Sequence, residues 1–238
     1  MTPASTSPPL VLIPGAMATA VAWRYQISAF RASREVIVPE QHFALETIQA
    51  MAQDIAPRLP PPLFDLVGWS MGGYIVFELY PLVRERIRKL VLICTTARAD
   101  SAEARQRRGE LLRSVEAEGI RSVYERQIDC NLVNRALLDT DFREQVLTET
   151  ERLGERTLRR QIEAMTRRHD SRQSLSQMTC PTLVIAARHD TVTPVECSLE
   201  MASLLPSATC HIVELAGHGA PWERSDEVNG VIGRFLES

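Results

Sequence analysis

The stretch FDLVGWSMGGYIVFELY, residues 64–80, changes its period partway along. An unalternated apolar run stops at a serine fenced by glycines, and apolar residues then return with helical spacing. Such runs suit parallel strands covered on both faces, and three- and four-residue spacing suits an amphipathic helix. The stretch therefore reads as strand, tight turn and helix, with Ser70 on the turn in Gly68-Trp69-Ser70-Met71-Gly72. A serine between glycines is compatible with an ordinary turn, because glycine tolerates backbone angles that other residues avoid. The same arrangement also lifts a nucleophile above a strand end and points the first N–H groups of the helix at it. The rest of the chain decides between the two.

Outward from this stretch the pattern repeats. Apolar runs LVLI (10–13), VIV (36–38) and KLVLIC (89–94) alternate with helix-length segments, and the alternation returns in PTLVIAA (181–187), VECSLEMASLLP (195–206), TCHIVE (209–214) and DEVNGVIGRFLES (226–238). This alternation specifies an α/β fold with a doubly wound parallel sheet. Residues 98–178 contain no convincing strand and are rich in Arg and Glu, with Leu and Val at helical intervals, as in RGELLRSVEAEG and FREQVLTETERLG. The expected organisation is a core of residues 1–97 and 179–238 interrupted by a helical cap over 98–178. The near-balanced charges of that segment read as a solvated helical surface.

Composition bounds the function. Of 238 residues, 45% are apolar and 24% charged, as in ordinary globular domains, and the net charge of -3 gives no reason to expect nucleic acid. Five scattered cysteines without a Cys-x-x-Cys pair suggest reduced, mostly buried thiols and a cytoplasmic setting. The N-terminal MTPASTSPPL lacks the pattern of a signal peptide, and no apolar run approaches the ~20 residues needed to span a bilayer, so no membrane partner is expected. No residue cluster implies a metal or cofactor.

A serine hydroxyl needs a base, and the base needs an orienting carboxylate. The loop after the last apolar run, LAGHGAPWE, places His218 between glycines, and AARHDTVTP places Asp190 just beyond the preceding run. The chain order Ser70, Asp190, His218, each following a different strand at its C-terminal edge, is the order this architecture requires. Asp100, after KLVLICTTAR, is a rival acid, although in ADSAEARQRR an Asp or Ser that caps the first cap helix would also account for it. His42, His169, His189 and His211 have no comparable setting. An oxyanion hole would draw one donor from the N–H of Met71 and another from the loop LIPGAMATAVAW, with Ala16 the expected residue.

The motifs GWSMGG, CPTLVIAARHD followed by Pro194, and MASLLPSATCHIVELAGHGAPWERSDEV, together with the cap, resemble the α/β-hydrolase superfamily, and within it the small capped members related to carboxylesterases, enol-lactonases and carbon-carbon bond hydrolases. The resemblance runs over nearly the whole chain. It implies serine-nucleophile catalysis through Ser70, Asp190 and His218, backbone donors at Ala16 and Met71, and a cap between strands six and seven of the family fold. Pro14-Gly15 stands where these relatives have His-Gly, and QHFALETI replaces their Asp-x-Arg-Gly-x-Gly loop, altering one wall of the site. The first strand begins too early for the usual leading hairpin, which implies a shortened sheet of about six strands.

Met17, Met71, Trp222 and the cap residues Tyr124, Ile128 and Leu132 are the expected pocket walls, favouring a small-molecule ester with an apolar group. The expected activity is carboxylic ester hydrolysis through an acyl-enzyme. Carbon-carbon hydrolysis, lactonase or lyase chemistry on the same residues, or a silent ligand-binding role, are the alternatives.

Overall fold

The computed structural model of the protein describes residues 7–40 and 45–238. Its centre is a six-stranded sheet formed by β1 (Leu10–Ile13), β2 (Val36–Ile37), β3 (Phe64–Trp69), β4 (Ile87–Ile93), β5 (Thr182–Ala187) and β6 (Ala208–Val213). The strand order is β2-β1-β3-β4-β5-β6, and every pairing is parallel.

The helices connecting the strands are α1 (Arg24–Phe30), α2 (Ile48–Ile55), α3 (Met71–Val83), α7 (Val195–Leu204), α8 (Ala220–Glu223) and α9 (Ser225–Glu237). Alternate strand residues feed the two faces of the sheet, as the two-residue strand period requires. Val11, Ile13, Leu66, Leu90 and Leu92 join a core with α2, α3 and α7, whereas Leu10, Leu12, Val67, Val91 and Ile93 join another with α1 and α9. Both faces are thus apolar, which is why the central strands read as unbroken hydrophobic runs. The edge strand β6 is partly exposed and its sequence is correspondingly more polar.

Between β4 and β5 the chain forms α4 (Ala102–Glu118), α5 (Ile120–Cys130) and α6 (Thr140–Arg167). Ser101 caps α4 by accepting a hydrogen bond from the Ala104 N–H (3.1 Å), and Asp139 caps α6 through the Phe142 N–H (2.8 Å). Gly119 (φ 82°) separates α4 from α5, and Gly154 (φ 74°) breaks α6 into two helical pieces. Both angles lie in the region that glycine alone occupies at little cost. The insertion closes at its base, where the Ser171 N–H donates to Ala97 O (2.8 Å). It therefore leaves and rejoins the sheet at neighbouring points.

One expectation needs correction. All five cysteines are free, but Cys130 and Cys210 are exposed, because one ends α5 and the other lies on the uncovered edge strand β6; only Cys94 and Cys197 are fully buried. Among the described residues no helix is long and apolar enough to cross a membrane.

Candidate active site

The turn from β3 to α3 holds Ser70 at φ 54° and ψ -119°. This is a left-handed backbone on a residue with a Cβ, and such strain costs on the order of 1–3 kcal/mol. The surroundings hold it in place. The Ser70 N–H donates to Ile93 O (3.0 Å), and Ser70 O accepts from the Gly73 N–H (3.0 Å) and the Thr95 hydroxyl (2.7 Å). The glycines of the motif are steric necessities: a Cβ on Gly72 would lie against Ile13 O and one on Gly68 would lie 2.9 Å from Gly72 O, while in the loop after β1 a Cβ on Gly15 would press on the Ser70 Cβ at 3.3 Å. The loop after β1 is thereby brought against the serine. Gly72→Ala forces α3 away from β1, and urea denaturation is expected to show a loss of more than about 4 kcal/mol, in the exceptional range for one substitution.

Three side chains from three strand ends meet here. His218 Nε2 lies 2.9 Å from Ser70 Oγ, and His218 Nδ1 lies 2.8 Å from Asp190 Oδ2. Asp190 is buried, and its carboxylate accepts from the N–H groups of Val192 and Thr193 (each 2.8 Å) and from the Thr193 hydroxyl (2.7 Å). Burial pushes this carboxyl up, but the charge and hydrogen bond of His218 and the Thr193 donors outweigh it and hold it below the usual carboxylate range. Cys94, at φ 44° after β4, is buried beside Asp190; burial and the Asp190 charge push its thiol well up, so it stays protonated.

The rival acid is engaged elsewhere. Asp100 takes Arg108 Nε (2.6 Å) and Nη2 (3.2 Å) and Arg168 Nη1 (2.5 Å), away from His218. Of the two candidate caps of α4, Ser101 takes that place. Of the other histidines, His211 pairs with Glu227 (3.0 Å) and His169 with Glu78 (3.0 Å), and His189 donates its backbone N–H to Ala216 O (3.0 Å). His42 lies outside the described residues.

The loop carrying His218 is clamped by residues that sequence reading missed. The buried Glu223 accepts from the N–H of Gly217 (2.5 Å), Val133 (2.8 Å) and Asn134 (3.2 Å), and the Gly219 N–H donates to Asn131 O (3.1 Å). The Trp69 indole N–H donates to His218 O (3.2 Å). Glu223 thus joins the histidine loop to the segment after α5. A carboxylate one turn past a Gly-His-Gly is the only sequence signal for it.

The loop Pro14–Ala18 contributes a second link. Met17 has φ 53°, and its N–H donates to Gln161 Oε1 of α6 (2.8 Å). Since a backbone N–H only donates, the facing amide atom must be the oxygen, which leaves the buried Gln161 Nε2 without a partner among the described residues. Ala16 lines the cavity above Ser70, and Met71 opens α3 immediately after it.

Ser70 and His218 open onto a cavity of about 790 Å³ roofed by α4, α5 and α6. Met17, Tyr124, Ile128 and Trp222 line it, but Leu132 and the Met71 side chain do not. Leu132 packs instead over Gly219, where an added Cβ would lie 2.5 Å from its Cδ2, and Met71 is fully buried beneath the sheet's covering helices. Part of the QHFALETI wall, residues 41–44, lies outside the described residues. The charge of the cap is also not wholly solvated: Arg108 and Asp100 face this cavity. Among the described residues no three His, Cys, Asp or Glu side chains are grouped to hold a metal ion.

Known proteins resemble this chain in sequence and fold. Over 200 residues, 80% of the chain and 74% of the relative, the sequence is 28% identical to a putative carbamate hydrolase RutD from Rhizobium rhizogenes. The fold superposes on a thermophilic esterase from Thermogutta terrifontis with a TM-score of 0.79 at 26% identity, covering 98% of this chain and 91% of that one. It also matches the enol-lactonase of Burkholderia xenovorans in fold, with a TM-score of 0.78 at 21% identity over 98% of this chain and 92% of that one. The model of the alpha/beta hydrolase family matches residues 10–231, and the chain belongs to that family.

Proposed function

We propose that the protein is a serine hydrolase that cleaves carboxylic esters through an acyl-enzyme, with Ser70 as nucleophile, His218 as base and acid, and Asp190 as the orienting acid. The observation that carries this reading is the unbroken relay from Ser70 Oγ through His218 to Asp190, with links of 2.9 and 2.8 Å. Asp190 accepts a hydrogen bond from the Nδ1–H of His218 and stays ionised, leaving Nε2 free to take the serine proton. The Ser70 oxygen then attacks the carbonyl carbon, and the N–H groups of Ala16 and Met71 receive the developing oxyanion, each donor being worth about 2.7–4 kcal/mol. Imidazolium returns its proton to the departing alcohol, and water repeats the sequence on the acyl-enzyme. Residues 98–178 act as the lid over this chemistry.

A serine-directed fluorophosphonate should stop turnover of 4-nitrophenyl butyrate and leave one adduct, mapped to Ser70 by peptide mass spectrometry, while EDTA leaves the rate unchanged. Loss of activity with the adduct elsewhere would sink the assignment. Carbamates are the second acyl class to assay, because relatives named as putative carbamate hydrolases align over most of the chain.

Gln161 supports the oxyanion loop from the lid. Gln161→Met fills the space but removes the acceptor for the Met17 N–H, leaving that donor buried and unpaired. The expected result is a fall in kcat of about 10- to 100-fold with KM changed less than threefold, since the loop meets the reacting oxygen most strongly in the transition state. An unchanged kcat would mean that the loop holds its shape without the lid.

A further inference from the structure

Arg108 and Arg168 share one carboxylate. Both line the cavity that contains Ser70, and the Asp100 between them is 2% exposed in its side chain. Arg168 is otherwise satisfied by Met165 O (2.7 Å) and Arg98 O (2.9 Å), and its guanidinium lies 4.0 Å from the centre of the Tyr74 ring. Its Nε is buried without a partner among the described residues. Arg108 uses Nε and Nη2 on Asp100 and is also hydrogen-bonded to Tyr74, and among the described residues no carboxylate accepts from its Nη1. Two cations against one anion leave a net positive charge on a largely desolvated wall of the cavity, where charges are ordinarily paired.

The rest of the cavity does not supply the missing charge. Arg98 and Arg126 also line it, paired with Glu200 (2.7 Å) and Glu118 (2.8 Å) respectively, and Arg107 stands exposed at the rim. Glu110, the other lining acid, accepts from the Gln106 amide (2.9 Å).

We infer that the natural substrate carries a carboxylate group, held by Arg108 on the cap wall while its acyl carbon sits at Ser70, with Asp100 and Arg168 fixing the guanidinium. This rests on the reading of Ser70 as nucleophile and narrows its substrate class from an ester with only an apolar group to one with an anionic end. The apolar wall of Met17, Ile128 and Trp222 then contacts the linking carbons.

The test compares monoesters of 4-nitrophenol with succinate, glutarate and adipate against the neutral butyrate, pentanoate and hexanoate esters of matching length. For at least one length, kcat/KM should favour the charged ester tenfold or more, as a charge-assisted hydrogen bond allows. Arg108→Gln should lower that charged-to-neutral ratio by about 10- to 100-fold, and Arg108→Lys, which keeps the charge but not the fork, should fall between. Asp100 keeps Arg168 as a partner in either variant, so the fold is retained, and circular dichroism checks it. In parallel, calorimetry on Ser70→Ala should show hexanoate binding at least tenfold tighter than hexanamide, with the difference lost when Arg108→Gln is added. Turnover of neutral esters with no preference for any charged one, or a preference that survives Arg108→Gln, overturns the anion site alone. Absence of turnover on every ester overturns the esterase reading, and the calorimetric difference then decides the anion site by itself.

Discussion

Ser70→Ala should lower kcat on a 4-nitrophenyl ester by about 10⁶-fold, the scale at which a serine hydrolase losing its nucleophile falls back on binding and its oxyanion donors. The folded state should hardly notice the change. Alanine retains the Cβ and therefore the strained φ of 54°, while the backbone bonds to Ile93, Gly73 and Thr95 do not involve the lost hydroxyl. Ser70→Gly is the informative companion. It abolishes turnover equally but releases the left-handed strain, so it should melt above Ser70→Ala by roughly 2–4 °C per kcal/mol recovered in a chain of this size. The comparison separates what the turn costs the fold from what the hydroxyl contributes to chemistry. If Ser70→Ala retains more than a thousandth of wild-type kcat on purified protein, another nucleophile is at work.

The strand, turn and helix around Ser70 were legible because each uses a local rule. Buried parallel strands are apolar without alternation, and a turn packed this closely excludes side chains, so Gly68, Gly72 and Gly73 appear where a Cβ would collide. The positions of Asp190 and His218 followed from strand ends, which local pattern also marks. The cap was harder to interpret. In α4 charged residues occur on all sides, so periodicity assigns no inner face, and Arg108 looked like its solvated neighbours until α6 and Asp100 were placed beside it. Leu132 failed for a related reason. It is apolar and near the site in sequence terms, but its contact is set by the His218 loop folding beneath it, a long-range event with no local signature. Gln161 and Glu223 were equally hidden, since each accepts from a backbone N–H far away in the chain, Met17 for the one and Val133 and Asn134 for the other.

The choice between Asp190 and Asp100 turns on what each carboxylate holds, and the two asparagine variants should fail in different ways. In Asp190→Asn, the N–H groups of Val192 and Thr193 need an acceptor, so the amide oxygen must take the place of Oδ1. The NH₂ group then faces His218 and donates to Nδ1. That forces the proton onto Nε2, the atom that must accept from Ser70, and kcat should fall by about 10⁴-fold. Stability should fall too, in a pH-dependent way. The native carboxyl of Asp190 lies below its ordinary value, so its contribution is fully present above about pH 3.9 and disappears as pH falls through the lower folded value; the asparagine variant lacks it throughout. Asp100→Asn removes the only carboxylate between Arg108 and Arg168 and leaves two cations facing each other, so a loss of about 3–5 kcal/mol is expected in urea denaturation. Its kcat on a neutral ester should stay far above that of Asp190→Asn, because Ser70, His218 and Asp190 keep their contacts. A 10⁴-fold loss of kcat in Asp100→Asn with a nearly normal Asp190→Asn would move the orienting acid to the end of β4.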